Sequence, residues 1–236
     1  MDGNGAIIIQ LQAELDCETE NGTMCGRFTL TLRAEEVRQV LGDGEWQPRY
    51  NIAPTQQVAA LLNEERAVVR WLRWGLVPPW TKDPAGLPLL INARAETAAE
   101  KPAFRRAFAQ QRCLILADGF YEWKKQTGGR RQPYWFCRAA GGLFAFAGLW
   151  ETWRTAQGAE LHTTAILTCA ANDCVAPVHE RMPVMLDFPA AWAWLDAADP
   201  ALLLPYPAQA MRAVAVGSQV NNPHYDSADC LAPLEN

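Results

Sequence analysis

Cys113-Leu114-Ile115-Leu116-Ala117-Asp118-Gly119-Phe120-Tyr121-Glu122-Trp123 decides how this chain is read. Its first five residues are an unbroken apolar run of strand length, which predicts a strand buried on both faces. Asp118-Gly119 is a turn dipeptide, so the run predicts a hairpin whose second strand begins at Phe120. That second strand carries one carboxylate, Glu122, among three aromatic rings. If the carboxyl is desolvated there its pKa is raised, which suits a group that carries protons; on an exposed face it is an ordinary surface acid. Just beyond it, Lys124, Lys125, Arg130 and Arg131 make a basic hairpin tip.

Outward from this stretch the chain is strand-rich. Downstream, YWFCRA (134–139), LFAFAGLWETW (143–153) and TTAILTCAA (163–171) read as strands, PAAWAWLD (189–196) as a short helix and PAQAMRAVAVG (207–217) as a last strand. The tail from Asn221-Asn222 is polar and irregular. Upstream, PAFRRAFAQQ (102–111) has helical spacing, VAALLN (58–63) and AVVRWLRW (67–74) predict a hairpin across 63–66, and RFTLTL (27–32) alternates like a strand before the helical pattern AEEVRQVLG (34–42). Trp74-Gly75-Leu76-Val77-Pro78-Pro79-Trp80 contains two prolines that remove backbone donors, so it predicts a rigid loop rather than a central strand. Its two indoles are core anchors, or, on an exposed loop, flat faces on which bases stack.

At 236 residues, half of them apolar, the chain can bury a full core and suits a single domain. No apolar run approaches the roughly 20 residues of a membrane span, and a soluble, cytoplasmic protein is expected. Seven cysteines form an odd set without a CxxC pair, which argues against a disulfide framework and a zinc ribbon. Phosphate-binding and dinucleotide-binding glycine loops, a Ser-His-Asp elbow and an HExxH site are all missing from the sequence, so no metal or cofactor is expected. The net charge of −5 is unevenly spread: residues 1–23 hold five acids and no base, residues 24–138 are at +7 and residues 139–236 at −7. The basic middle is compatible with a local phosphate-binding face, or with a mixed solvated surface.

Residues 1–23 are acidic and end in the turn signal Asn-Gly-Thr. They are expected to be a disordered, untranslated or removed extension, with one domain over 24–236. If the chain starts at Met24 and loses it, or is cut there, Cys25 has a free α-amine beside its thiol. Those two groups have unperturbed pKa values of about 7.7–8.0 and 8.5, so each is partly nucleophilic near neutrality. Together they attack an aldehyde in turn: nitrogen gives an imine, and sulfur closes on the imine carbon as a thiazolidine. A lone cysteine also reads as a small buried hydrophobe.

Five stretches, MCGRF, YNIAPTQ, WGLVPPW with NARAET, DGFYEW and HERMPV, together resemble the SOS-response-associated peptidase (SRAP) family, abasic-site processing proteins that crosslink to damaged single-stranded DNA. The resemblance runs from Met24 to about residue 220. It implies an α/β (mixed α+β) single domain with a barrel-like core of mainly antiparallel strands and flanking helices. It further implies that Cys25 captures the ring-opened sugar, that Asn92 hydrogen-bonds that sugar, that Glu122 shuttles protons and that His179 acts as acid or base in the Schiff-base steps. Arg27, Asn51, Trp74, Arg94 and Arg181 fall at its DNA-contacting positions. The implied partner is single-stranded DNA containing abasic sites, bound by a monomer. Two other readings stay open: a cysteine peptidase acting on protein substrates, with Cys25 as nucleophile and His179 as base, whose self-cleavage before Cys25 would free the amine, and a noncatalytic single-strand-binding module.

Overall fold

The computed structural model describes residues 25–33, 35, 38, 47–64 and 68–234. Most of the helical pattern at 34–42, all but residues 35 and 38, and the extension 1–23 lie outside the described residues. Thirteen strands are described: β1 (Arg27–Leu30), β2 (Arg49–Ile52), β3 (Gln57–Leu62), β4 (Val69–Trp74), β5 (Asn92–Arg94), β6 (Arg112–Ala117), β7 (Gly119–Lys125), β8 (Arg131–Arg138), β9 (Phe144–Arg154), β10 (Glu160–Ala170), β11 (Arg181–Pro183), β12 (Met185–Leu186) and β13 (Met211–Ala215). Three α-helices are described in full, α1 (Ala95–Ala98), α2 (Arg105–Gln110) and α3 (Phe188–Asp196). None of the described helices is long and apolar enough to cross a membrane.

Strands β10, β4, β3, β6 and β9 are neighbours in that order, and pairing of β9 with β10 closes them into a five-stranded barrel. Every pair in the ring is antiparallel except β4 with β10. The long strands β9 and β10 part company near one end. There the segment 181–186 enters the gap, pairing by Arg181–Pro183 with β10 and by Met185–Leu186 with β9. On the opposite edge of β10, β5 takes over from β4. A second, open sheet has the order β13-β8-β7-β1-β2 and is antiparallel throughout.

The two sheets meet through aromatic rings. Phe28 of β1 lies 5.1 Å from Trp74 and 5.6 Å from Phe146, both edge-on, while Phe120 of β7 stacks on Phe136 at 5.2 Å and meets Phe146 at 6.3 Å. All five rings are fully buried, so each contributes roughly 1.5–3 kcal/mol by leaving water, with a further ~1 kcal/mol for well-placed pairs. Arg112 fastens the helices to this body: its guanidinium donates to Ala109 O at the end of α2 and to Trp194 O and Leu195 O near the end of α3. A cation is favourable at those carbonyl ends.

Two sequence expectations are corrected. Asp118-Gly119 joins no hairpin: β6 belongs to the barrel and β7 to the open sheet, so the dipeptide is the step from one sheet to the other. Gly119 is required there because a Cβ would lie 2.2 Å from the indole nitrogen of Trp135. Trp74 is not on the proline loop but ends β4, with β3 and β10 on either side.

Candidate active site

Antiparallel pairing of β1 with β7 sets Arg27 opposite Tyr121 and Phe28 opposite Phe120, which carries the residues before Arg27 past Glu122. The Cys25 N–H donates to Glu122 Oε1 at 2.5 Å, and both residues are buried. Burial pushes the Glu122 carboxyl up to about 8, against the backbone hydrogen bonds from Cys25 and Trp123 that favour its charged form. Burial, and then the nearby Glu122 charge, hold the Cys25 thiol well above the ordinary cysteine range. The thiol is therefore a proton donor at neutral pH, and the carboxyl beside it exchanges protons in either direction. Cys25 also has φ = 36°, in the left-handed region that a side chain with a Cβ occupies at a cost of about 1–2 kcal/mol.

The turn from Cys25 into β1 runs against Ile91: a Cβ on Gly26 would lie 4.0 Å from Ile91 Cδ1. Asn92 follows Ile91 directly and opens β5, opposite Ile166 of β10. Two residues further along β10, Thr168 is paired with Arg94 on one side and with Pro183 on the other. The end of β10 thus holds the Asn92 strand on one edge and the strand that follows His179 on the other. His179 Nδ1 lies 3.1 Å from the Arg181 N and 3.2 Å from the Arg181 O, so the ring is held against the backbone of the strand that follows it.

Arg181 ties the two edges together. Its guanidinium donates to both carboxylate oxygens of Glu96 on α1, at 2.5 and 2.7 Å, and to Thr168 O at 2.7 Å. The ion pair with Glu96 draws that carboxylate's pKa down and the guanidinium's up. With its side chain only 14% exposed, Arg181 braces α1 and β11 across β10. Arg94, in contrast, is exposed at the end of β5.

Three other residues expected at the DNA are likewise engaged within the fold. Asn51 is fully buried; its amide donates to the carbonyls of Val220, Asn222 and Tyr225, and its oxygen accepts from Arg27 at 2.9 Å. Arg27 donates also to Val220 O at 2.6 Å and Asn221 O at 3.2 Å, and lies over the Trp123 ring. Both side chains serve to fasten residues 220–225 along the Glu122 strand. Trp74 is wholly buried, donating to Ile91 O at 2.9 Å, so its ring offers no stacking face and instead supports the backbone just before Asn92. Of the two indoles in that stretch, Trp80 is the one in the open, at 63% exposure.

Four contributors were not read from the sequence. The segment after Gly217 forms a wall beside the site, with Trp123 Nε1 donating to Asn221 Oδ1 at 2.7 Å. Asp226 receives the N–H groups of Tyr50 and Asn51 and the guanidinium of Arg49. Glu96 pairs with Arg181, and Asp118 accepts from Thr29 and Thr31. The Asn221-Asn222 doublet and the lone acid in NARAET were the available signals, and neither has a period that reveals its partner.

Residues 24–223 match the family described as SOS response associated peptidase (SRAP). Among relatives, the chain is 43% identical over 221 residues to the abasic site processing protein YoaM of Bacillus subtilis (strain 168), covering 88% of this chain and 97% of that one. It is 31% identical to the abasic site processing protein HMCES of Gallus gallus, covering 90% of this chain and 78% of that one. A crystal structure of a protein from Bacteroides thetaiotaomicron shares the fold with a TM-score of 0.79 at 22% identity, covering 89% of this chain and all of the other. The match over most of the chain makes this chain a member of the SOS response associated peptidase family.

Proposed function

We propose that this protein processes abasic sites in single-stranded DNA by capturing the lesion's aldehyde on Cys25 as a thiazolidine. The observation that carries the reading is the buried Glu122 carboxyl 2.5 Å from the Cys25 nitrogen. Once that nitrogen is a free amine, the carboxylate takes a proton from the ammonium and frees the lone pair that attacks the aldehyde carbon. The carbinolamine loses its hydroxyl as water when Glu122 returns the proton, and a positioned acid contributes about 10²–10⁴-fold to such a step. Sulfur then adds to the imine carbon, and its proton passes to nitrogen. A high thiol pKa suits this order, because the amine reacts first and the sulfur keeps its proton until the imine is in place. Asn92 follows Ile91, which packs near Gly26, and is assigned to the sugar, and His179 to imine exchange and release. An abasic nucleotide has no base to unstack, so presenting its sugar costs little. One chain supplies every group named, so a monomer suffices.

Self-processing before Cys25 is the second reading, and the left-handed φ of Cys25 favours it. Cleavage of the preceding peptide bond removes that torsion and its cost. Intact mass of purified, protease-free chains separates self-cleavage from cleavage by another enzyme: loss of residues 1–24 in the Cys25-bearing chain but not in Cys25→Ala marks the former.

The main test compares a chain that begins at Cys25 with one left uncleaved before it, each incubated with abasic single-stranded DNA and run on a denaturing gel. An amide nitrogen forms no imine, so adduct is expected only from the first. Equal yields would overturn the thiazolidine scheme.

A further inference from the structure

The β7–β8 hairpin extends beyond the site without a break: β7 runs from Gly119 through Glu122 to Lys125, and Arg131 opens the return strand. Four cations, Lys124, Lys125, Arg130 and Arg131, occupy its exposed tip, and no acid occurs between Glu122 and Glu151. Register places Lys125 directly opposite Arg131. Like charges directly across an antiparallel pair are destabilising, and among the described residues neither is in a salt bridge. The tip is turned by Thr127–Gly129 with Gly128 and Gly129 at positive φ, and the Gln126 N–H closes it onto Arg130 O. A well-built hairpin that holds repelling cations in register is arranged to meet an anion.

Distance identifies the anion. At a rise of roughly 3.3 Å per residue, Lys124 and Lys125 lie about 7 and 10 Å along the strand from Glu122, and Arg130 and Arg131 lie near the same end. A stacked single strand advances about 3.4 Å per nucleotide, so this is about two to three nucleotides from the sugar that Cys25 would hold. A free phosphate would need only one of these cations, whereas a chain of phosphates running along the tip can meet several of them.

Resting on the reading above, we propose that the β7–β8 hairpin tip binds the phosphate backbone of the captured strand on one flank of the lesion, a few nucleotides away. It is a sequence-independent grip that acts on affinity and leaves the chemistry at Cys25 alone.

The test uses the chain beginning at Cys25 and a variant carrying Lys124→Gln, Lys125→Gln, Arg130→Gln and Arg131→Gln. Binding to intact oligothymidylate is measured from 50 to 200 mM salt. Four lost single-strand phosphate contacts lower the slope of log affinity against log salt by up to about 3, or a difference of up to about 50-fold over that range. Oligothymidylates with one abasic residue at the 5′ end, the 3′ end or the centre then locate the grip. The wild-type chain is expected to favour nucleotides on one flank and the variant to favour neither, with equal adduct at saturating DNA. Arg131→Glu guards against a folding artefact: it sets an acid opposite Lys125, so its melting temperature should rise while its DNA affinity falls. Equal salt slopes and equal flank preference in wild type and variant would overturn the proposal. If the wild-type chain forms no adduct at all, the thiazolidine reading fails, and the slopes on undamaged oligothymidylate still decide this one.

Discussion

Two buried acids stand four residues apart on the run from barrel to open sheet, and β1 meets both. Asp118 accepts the Thr29 hydroxyl at 2.5 Å, the Thr31 N–H at 2.6 Å and the Thr31 hydroxyl at 2.5 Å. Glu122 accepts from the Cys25 nitrogen, the atom that becomes an amine if the chain is opened before it. Burial raises both carboxyls, but Asp118 is surrounded by side-chain donors that oppose the rise, whereas Glu122 has backbone donors alone and reaches about 8. The first acid has its oxygens committed to holding β1 in place. The second is positioned on the nucleophile and remains titratable near neutral pH. One strand is thus locked at one end so that its other end can be reactive.

Glu122→Gln should give the larger effect. The amide keeps an oxygen for the Cys25 N–H but cannot exchange a proton, so adduct formation should slow by about 10²–10⁴-fold. Stability should move the other way. A carboxyl raised from 4.5 to about 8 stabilises the fold while it is protonated in both states, and that contribution falls as pH rises between those values, because the unfolded chain ionises first. In the uncleaved chain, thermal melts should therefore show Glu122→Gln gaining on wild type from pH 5 to pH 8. A constant offset would mean that Glu122 is already ionised, and the contrast with Asp118 would disappear.

Asp118→Asn should do the reverse. Its oxygens accept three donors, and an amide in its place turns an N–H toward at least one of them, which costs about 1–3 kcal/mol. Lower melting temperature with an unchanged adduct rate, measured well below the transition, is expected. A rate loss as large as that of Glu122→Gln in a folded protein would place Asp118 in the proton path and break the distinction.

The same contrast explains what could be read from the sequence. Alternation and apolar runs located β1, the β3–β4 hairpin, β6 to β10 and β13, because a strand's period is local. The aromatic flanks of Glu122 left a desolvated carboxyl and an exposed acid both open, and the residue is 3% exposed. Asp118-Gly119 was misread because period does not say whether consecutive strands pair with each other; the dipeptide permits a sharp change of direction, and Trp135 packing on Gly119 decides which. The arrangement of Asn51 and Arg181 was hidden for a different reason. Their partners lie 169 to 174 residues away for the Asn51 amide and 85 for Arg181, so nothing nearby shows that these polar side chains are already satisfied. Trp74 and Trp80 share one proline-rich stretch, yet the first ends a central strand and the second projects into solvent.

Arg94 and Arg181 repeat the contrast among cations, and they give the smallest expected effect. Arg181 is committed to Glu96 and Thr168, so Arg181→Ala should loosen the His179 strand and lower adduct yield even at saturating DNA. Arg94 is exposed beside that brace, and its charge reaches Glu96 only as a weak pull. If it meets one phosphate of a single strand, Arg94→Ala should lower the salt slope by about 0.7, and excess DNA should restore the yield in full. The measurement is a pair of titrations, adduct yield against DNA concentration at two salt concentrations for each variant. Recovery of yield in Arg181→Ala, with the slope lost there and kept in Arg94→Ala, would exchange the two roles. It would show that the phosphate displaces Glu96 from Arg181, so that a side chain satisfied within the fold is nevertheless available to the ligand.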